Sequence, residues 1–404
     1  MIYDILLKGG HVLDPSQFIN GIFDVGIKDG RILRLEANLD ASASAQVLNL
    51  KGKYVCPGLV DLHGHWFEGS IYGIDPHIAL NHGVTTVVDA GTCGFINFPY
   101  FRKHTIDKAS LRVLAFVHIS CLGLHAPFAE ELRDLLYARP KETADVIERN
   151  RDVAVGVKIR EGRMTGEYGI EALEKALEAA KDVSLPMMVH ISQGADTKEI
   201  LRRLRPGDIL THCFQGRGNG ITDPHGAALL PEVKAARANG ILFDVGHGCG
   251  SFSWDIARKA FEHAFYPDTI STDLHRYCTG DPFNVDLLST MSKFMALGMT
   301  LDDVVLKCTL NPAKALGKEA EFGTLRPGVV ADVLVFEEEE GQFELMDTHF
   351  RTLKAGKHLR ACHVIRQGCL RNPDAHPISL RDLYDSDREV IDAMRPTVSR
   401  RDDE

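Results

Sequence analysis

Several familiar signals are missing from this 404-residue chain, and each absence narrows the class of protein. The nine cysteines include no C-x-x-C pair, which argues against a zinc ribbon or a disulfide framework and favours free thiols in a reducing cytoplasm. No apolar run approaches membrane-spanning length, and the first residues lack the basic and apolar segments of a signal peptide. The net charge is −10, and no basic block suggests a nucleic-acid partner. We therefore expect a cytoplasmic protein with a small-molecule substrate and neither a nucleic-acid nor a membrane partner.

The middle of the chain alternates short apolar strands with helical segments. Eight strand candidates lie at 59–65, 85–90, 113–119, 153–160, 187–192, 209–213, 241–245 and 269–275. Most are followed by segments with a helical spacing of apolar residues, such as Ile170, Leu173 and Leu177. This repeat is typical of an α/β fold of the (β/α)8 TIM-barrel type. A doubly wound sheet would carry a glycine-rich phosphate turn after its first strand, and none is present.

Both ends of the chain are rich in short β-strands and turns. Residues 1–57 are too few for a convincing core of their own, and a run of similar character lies at 331–368. We therefore predict a small β-sandwich built from 1–57 together with 320–380, which flanks a barrel at 58–319. The charged, proline-interrupted residues 381–404 are interpreted as a C-terminal tail without chemistry.

Two histidines stand one residue apart in the stretch Gly58-Leu-Val-Asp-Leu-His-Gly-His65. In an extended strand, residues i and i+2 share a face, so His63 and His65 point the same way. Two imidazoles that converge on one point are typical metal ligands. An isolated pair of this kind is more often polar loop sequence, so the metal hypothesis depends on the other strand ends.

Barrel enzymes place their chemistry at the C-terminal ends of their strands. The polar residues at the other predicted strand ends include Lys158, His190, His212 and Asp273. Taken singly, each has a structural interpretation, such as a core histidine, an interior ion pair or a helix cap. Combined with His63 and His65 they predict a metal centre, for which nitrogen and oxygen ligands favour zinc over manganese, iron or cobalt. We also expect burial to lower the pKa of the Lys158 amine.

These residues carry a resemblance to the amidohydrolase superfamily. The matching residues are the stretch from Pro57 to His65 together with Lys158, His190, His212 and Asp273. The segments 82–89, 311–317 and 322–336 match as well, so the resemblance spans nearly the whole chain. It implies a distorted barrel flanked by a β-sandwich, with two divalent metal ions in the barrel mouth. We also expect a homo-oligomer.

The resemblance further implies a division of the ligands between the two metals. His63, His65 and Asp273 would bind the more buried ion, and His190 and His212 the more exposed one. Lys158 would be carboxylated by carbon dioxide, and its carbamate would bridge both ions.

Within the superfamily, the segments 188–192, 210–215, 243–248 and 271–275 are most similar to a subgroup labelled dihydroorotase-like or adenine deaminase. Members of that subgroup cleave acetyl groups from α-acetoxy acids such as acetyl-(R)-mandelate. The expected function is therefore removal of an acyl group, acetyl above all, from a small carboxylate-bearing ester or amide through attack by a metal-bridging hydroxide. Hydrolysis of a cyclic amide (dihydroorotase or hydantoinase type), nucleobase deamination and a non-catalytic scaffold are the alternatives.

The remaining assignments concern proton transfer and the substrate. Asp273 is expected to take the proton of the attacking hydroxide and deliver it to the leaving group. Arg160 is a candidate clamp for a substrate carboxylate, because a guanidinium binds a carboxylate through two parallel hydrogen bonds, and a structural ion pair is an equally good interpretation. His247 and His275 follow the last two strands and are candidates for substrate binding. Cys93 follows the second strand and could touch the substrate, although a wall residue is the simpler interpretation.

Overall fold

The structure is a computed structural model that describes residues 1–124, 131–163, 165, 168–223, 226, 228–279 and 285–371. The predicted tail at 381–404 lies outside these residues. All nine cysteines lie within them and are free thiols, as predicted. Among the described helices, none has both the length and the apolar character needed to cross a membrane.

The described chain alternates strands and helices. The strands are β1 (Tyr3–Asp14), β2 (Ile19–Lys28), β3 (Arg31–Glu36), β4 (Ser44–Asn49), β5 (Tyr54–Pro57), β6 (Leu59–Gly64), β7 (Val84–Gly94), β8 (Arg112–His118), β9 (Ala154–Glu161), β10 (Met187–Ile191), β11 (Ile209–Thr211), β12 (Leu242–Phe243), β13 (Val333–Met346), β14 (Thr352–Arg366) and β15 (Cys369–Arg371). The α-helices are α1 (Phe98–His104), α2 (Pro140–Glu148), α3 (Gly169–Asp182), α4 (Thr197–Arg203), α5 (Pro231–Ala238), α6 (Trp254–Glu262), α7 (Leu287–Ala296), α8 (Leu301–Cys308) and α9 (Leu310–Ala315).

Strands from both ends of the chain form one mixed sheet. The two ends join where β5 pairs antiparallel with β13, with Cys56 opposite Leu334. Strand β1 is shared, because its first half pairs with β4 and its second half with β5. Apolar side chains such as Val12, Val25 and Val333 form a core that is separate from the barrel core. The small β-sandwich built from both chain ends is therefore confirmed, while the predicted domain boundaries stay a prediction.

The middle of the chain forms the barrel. Within the described residues, β6 to β12 lie side by side in chain order as one parallel sheet. The segment predicted as the eighth strand closes this sheet through two parallel bridges, from Asp244 to Thr269 and from Gly64 to Leu274. It is therefore held by isolated bridges rather than by a continuous ladder. The fold is a distorted (β/α)8 barrel, as predicted.

The barrel interior is filled with apolar side chains. One buried cluster draws residues from each of β6 to β11, including Leu62, Phe116 and Met188. Ala313 of α9 and Phe322 belong to the same cluster. The ring centre of Phe322 lies 4.7 Å from the guanidinium of Arg112, the first residue of β8, at the N-terminal end of the strands. Parallel strands covered on both faces are near-continuous apolar runs, so a polar residue at a strand end is conspicuous. The polar side chains collect at the other end, where the candidate site lies.

Candidate active site

The structure brings together all six predicted ligands at the C-terminal ends of the strands. We call these residues the metal-ligand set: His63, His65, Lys158, His190, His212 and Asp273. Asp273 Oδ1 lies 3.2 Å from Nε2 of His63 and 3.2 Å from Nε2 of His65. Lys158 Nζ lies 3.4 Å from His63 Nε2, and His212 Nε2 lies 2.7 Å from His190 Nδ1. The ligand atoms of His63, His212 and Asp273 all lie within 4.8 Å of one another.

Two members of this set have an unusual backbone. His212 and Asp273 have φ angles of 63° and 51°, in the left-handed region that residues other than glycine rarely adopt. The Asp273 backbone N–H donates to the carbonyl of His63 at 2.6 Å, which ties the eighth segment to β6. Backbone strain of this kind persists only where the surroundings enforce it, and it is concentrated at functional sites.

A threonine and an aspartate fix the orientation of His65. The Thr92 hydroxyl donates to Asp89 Oδ2 at 2.7 Å, so its oxygen accepts the Nδ1–H of His65 at 2.8 Å. Asp89 also accepts backbone N–H groups from Trp66 and Thr92. Burial raises the pKa of Asp89 to about 6, which leaves it ionised and able to accept at neutral pH. The Nε2 lone pair of His65 therefore faces Asp273.

His63 is fixed in the same way on the other side of the site. The Thr211 hydroxyl donates to Asp244 Oδ2 at 2.7 Å and accepts the Nδ1–H of His63 at 2.8 Å. Asp244 is fully buried and accepts further hydroxyl hydrogen bonds from Thr269 and Ser271. Partners of this kind set the tautomer of a metal-binding histidine and raise its basicity.

The other two histidines form a pair. His212 Nδ1–H donates to the carbonyl of Gly246 at 2.7 Å, which leaves Nε2 as an acceptor. His190 Nδ1 therefore donates to His212 Nε2. Burial lowers the pKa of His212 to about 3. It also lowers the pKa of His65, described above, to about 4, so the rings of His212 and His65 are neutral at physiological pH. Neutral imidazole is the form that binds a metal.

The donor geometry fits a divalent metal ion. Two ligands at the usual zinc distances on a tetrahedral ion lie about 3.3 Å apart. The distances of 3.2 Å from Asp273 to His63 and to His65 match this separation. The 2.7 Å between His190 Nδ1 and His212 Nε2 is a hydrogen-bond distance, so to share an ion through these two nitrogens the rings would give up that hydrogen bond and its proton and move apart by about half an ångström.

Lys158 lies among these ligands with its side chain almost fully buried. Burial lowers the pKa of its amine to about 7, as the sequence predicted. Gly91, at a φ of +81°, allows this packing, because a Cβ at that position would lie 2.5 Å from the Cβ of Lys158. A neutral amine is the form that reacts with carbon dioxide, and carboxylation of Lys158 stays a prediction.

Arg160 makes the ion pair that was the alternative to a clamp. Its Nη1 lies 2.9 Å from Oε1 of the buried Glu131, and its guanidinium lies 5.9 Å from the ring centre of Tyr72. The other oxygen of Glu131 lies 3.2 Å from His118 Nε2. The clamp role stays a prediction, and within the described residues Nε of Arg160 has no aligned partner.

The three other predicted substrate residues differ in position. The His275 ring lies 5.9 Å from that of His65 and 5.7 Å from that of Tyr72, beside the metal-ligand set. His247 is fully buried, and its ring nitrogens contact the Gly248 carbonyl and Lys293 Nζ, each at 2.8 Å. These contacts give no support to substrate binding by the His247 ring. Cys93 is buried in the apolar core, which supports the interpretation as a wall residue.

Sequence reasoning missed several residues of the site. The residues in question are Tyr72, Asp89, Thr92, His118, Glu131, Thr211 and Asp244. A signal existed for Asp89, His118 and Asp244, because each is the last-but-one residue of a predicted strand. Tyr72 and Glu131 lie in loops, where the sequence offers no periodic pattern to place them.

Comparison with known proteins agrees with this geometry. The model of the Amidohydrolase family matches residues 54–361. The chain is 36% identical over 327 residues to the protein named Deacetylase Atu3266 of Agrobacterium fabrum, and the match covers 80% of this chain and 79% of that one. A crystal structure described as an adenine deaminase superposes with a TM-score of 0.86 at 32% identity, covering 92% of this chain and 100% of that chain. A crystal structure described as a dihydroorotase gives a TM-score of 0.83 at 31% identity, covering 91% and 99%. The chain therefore belongs to the amidohydrolase family.

Proposed function

We propose that the protein is a metal-dependent deacylase that removes an acetyl group from a small ester or amide bearing a carboxylate. The observation that carries this proposal is a largely buried arginine, Arg160, whose side chain is 11% exposed and which lies two residues beyond Lys158 on the strand that supplies the central ligand. A cation that follows the central ligand by two residues on the same face of the strand suits a substrate whose carboxylate lies close to the acyl group. The 36% identity to a protein named a deacetylase supports the same reaction class.

The metal-ligand set would hold two divalent metal ions, zinc in the first instance. His63, His65 and Asp273 would bind one ion, His190 and His212 the other, and a carboxylated Lys158 both. When bound, such ions lower the pKa of a coordinated water and polarise the acyl carbonyl.

Asp273 is the residue that would carry the proton. Its Oδ1 contacts both His63 and His65, while its Oδ2 lies where a Cβ on Gly248 would approach to within 2.4 Å. The glycine thus leaves space for this oxygen. From this position Asp273 would accept a proton from the attacking water and deliver it to the leaving oxygen or nitrogen.

Arg160 would hold the substrate carboxylate. A guanidinium that binds a carboxylate through two hydrogen bonds fixes its orientation as well as its charge. The rings of Tyr72 and His275 lie 5.7 Å apart between Arg160 and His65 and would form the wall that the rest of the substrate contacts.

The test is acetate release by purified, zinc-supplemented protein. We expect turnover of acetyl-mandelate, weaker turnover of N-acetyl amino acids, and no turnover of dihydroorotate, hydantoin or adenine. Turnover of dihydroorotate or adenine without acetate release would overturn the proposal in favour of the activities named for the two superposed structures. A cytoplasmic location and a homo-oligomer remain predictions, which fractionation of cells and light scattering of the purified protein would check.

A further inference from the structure

Two buried polar side chains and a largely buried one form a row beside the metal-ligand set. We call His118, Glu131 and Arg160 the carboxylate row. Glu131 is its centre, with Oε1 at 2.9 Å from Arg160 Nη1 and Oε2 at 3.2 Å from His118 Nε2. The side chains of His118 and Glu131 are 0% and 2% exposed, so their contact is shielded from solvent.

The far end of the row is fixed by the backbone after β8. His118 Nδ1 accepts the backbone N–H of Ser120 at 2.9 Å, which places the ring proton on Nε2, towards Glu131. The Ser120 hydroxyl donates to the Glu131 carbonyl at 2.8 Å. Glu131 is thus anchored through its main chain as well as its side chain, and displacing it from Arg160 would be costly.

The near end of the row leaves Nε of Arg160 without an aligned partner among the described residues. Glu131 engages Nη1, whereas the side edge of a guanidinium consists of Nε and the other terminal nitrogen. Arg160 Nε is buried and has no aligned hydrogen-bond partner in the part of the chain that the structure describes. Within those residues, four such buried atoms belong to the carboxylate row. Buried polar atoms without partners are rare. Two of these four are acceptor oxygens of Glu131, and the Nε–H of Arg160 is the donor that a ligand carboxylate would complete.

We propose that Glu131 and His118 are positioning residues that rotate Arg160 so that its Nε edge faces the carboxylate of the substrate. The inference rests on the proposed function for the identity of that substrate. Glu131 holds one terminal nitrogen, His118 holds Glu131, and the remaining edge is presented for bidentate binding. The alternative is that Glu131 competes with the substrate for Arg160, and it predicts the opposite effect of neutralising Glu131.

Equilibrium binding separates these two roles without requiring turnover. The probes are mandelate and its neutral amide, mandelamide, titrated calorimetrically into zinc-loaded protein. We expect Glu131→Gln to weaken mandelate binding by about tenfold, as for the loss of a charged hydrogen bond, and to change mandelamide binding less than about twofold. Unchanged or tighter mandelate binding would overturn the positioning role and favour competition.

His118 supplies a second variant and a rescue. His118→Gln keeps a donor towards Glu131 and should bind mandelate like the wild type, whereas His118→Phe removes the donor and should match Glu131→Gln. If His118→Gln weakened the binding of both probes as much as His118→Phe does, the result would contradict a positioning role. Glu148→Gln, which breaks the exposed pair of Glu148 with Arg151, is the control and should leave both probes unaffected.

The outcome is distinguishable from a failure of the proposed function. Wild-type protein that prefers mandelate to mandelamide but releases no acetate from acetyl-mandelate would overturn the proposed reaction and leave the positioning role standing. Wild-type protein that binds both probes equally would overturn the positioning role, whether or not it releases acetate.

Discussion

The metal-ligand set and the carboxylate row lie side by side, yet their hydrogen bonding differs. In the first, the outward nitrogens of His63, His65 and His212 each have a short hydrogen bond to a threonine oxygen or a backbone carbonyl. In the second, four buried polar atoms have no aligned partner within the described residues. A group whose partners are already in place is pre-organised, and pre-organisation suits the part of a site that is common to every turnover. The incomplete region is the one that we expect the substrate to complete.

The largest effect is expected from a substitution that removes the proton carrier, Asp273, from the metal-ligand set. Asp273→Asn should lower kcat by roughly 10²–10⁴-fold, because general acid–base catalysis contributes about that factor. Metal content should fall much less, since the amide oxygen can still occupy the Oδ1 position beside His63 and His65. Acetate release and metal analysis on the same preparation check this, and retained activity would remove Asp273 from the role.

The next effect loosens the support of the histidines without touching a ligand. Thr211→Val removes the acceptor of His63 Nδ1–H and should weaken metal binding by roughly 10–100-fold. Thr92→Val should do the same through His65. Competition with a chelator measures the affinity. Thr143→Val is the control, because that hydroxyl is buried on α2 without a hydrogen-bond partner in the described chain; a loss as large in the control would mean that the two threonines do not act through the histidines.

A comparable effect, restricted to one class of substrate, is expected from the carboxylate row. Arg160→Met should raise KM for acetyl-mandelate by about tenfold to a hundredfold, since hydrogen bonds to charged groups contribute about 1.5–3 kcal/mol. KM for the methyl ester of acetyl-mandelate should change little, because that substrate has no carboxylate. Steady-state kinetics on both esters provide the measurement, and an equal rise for the two would contradict the clamp.

The smallest expected effect is a pH dependence of Lys158 carboxylation. With its pKa lowered to about 7 by burial, the amine is mostly neutral at pH 8 and mostly an ammonium at pH 6. Reactivation of metal-free protein by zinc at a fixed concentration of dissolved carbon dioxide should therefore be about tenfold slower at pH 6 than at pH 8. His65 and His212 stay neutral over this range, since burial lowers their pKa values to about 4 and 3. A rate independent of pH would contradict the carbamate.

The two regions also differ in how far the sequence predicts them. The alternation of parallel strands and helices predicts the barrel from the sequence. The rule that chemistry lies at strand ends selects all six members of the metal-ligand set, because side-chain alternation fixes which residues face the mouth. Glu131 could not be found, because its pairing with Arg160 depends on the path of a loop and not on a repeating pattern.

The same reason explains the outcome for Arg160 and His247. Arg160 was placed on the correct face of β9, but its partner comes from a segment distant in sequence. His247 follows β12 as predicted, yet its ring stacks on Phe252 and contacts Lys293 of α7. Strand ends predict where a side chain begins, and tertiary packing decides where it points.

The measurement that tests the central claim most directly is a crystal structure of protein purified with zinc and bicarbonate, with anomalous data at the zinc edge. We predict two anomalous peaks, one among His63, His65 and Asp273 and the other beside His190 and His212, with extra density continuous with Lys158 Nζ between them. A single peak, or an unmodified Lys158, would contradict the two-metal carbamate centre on which the proposed deacylase rests.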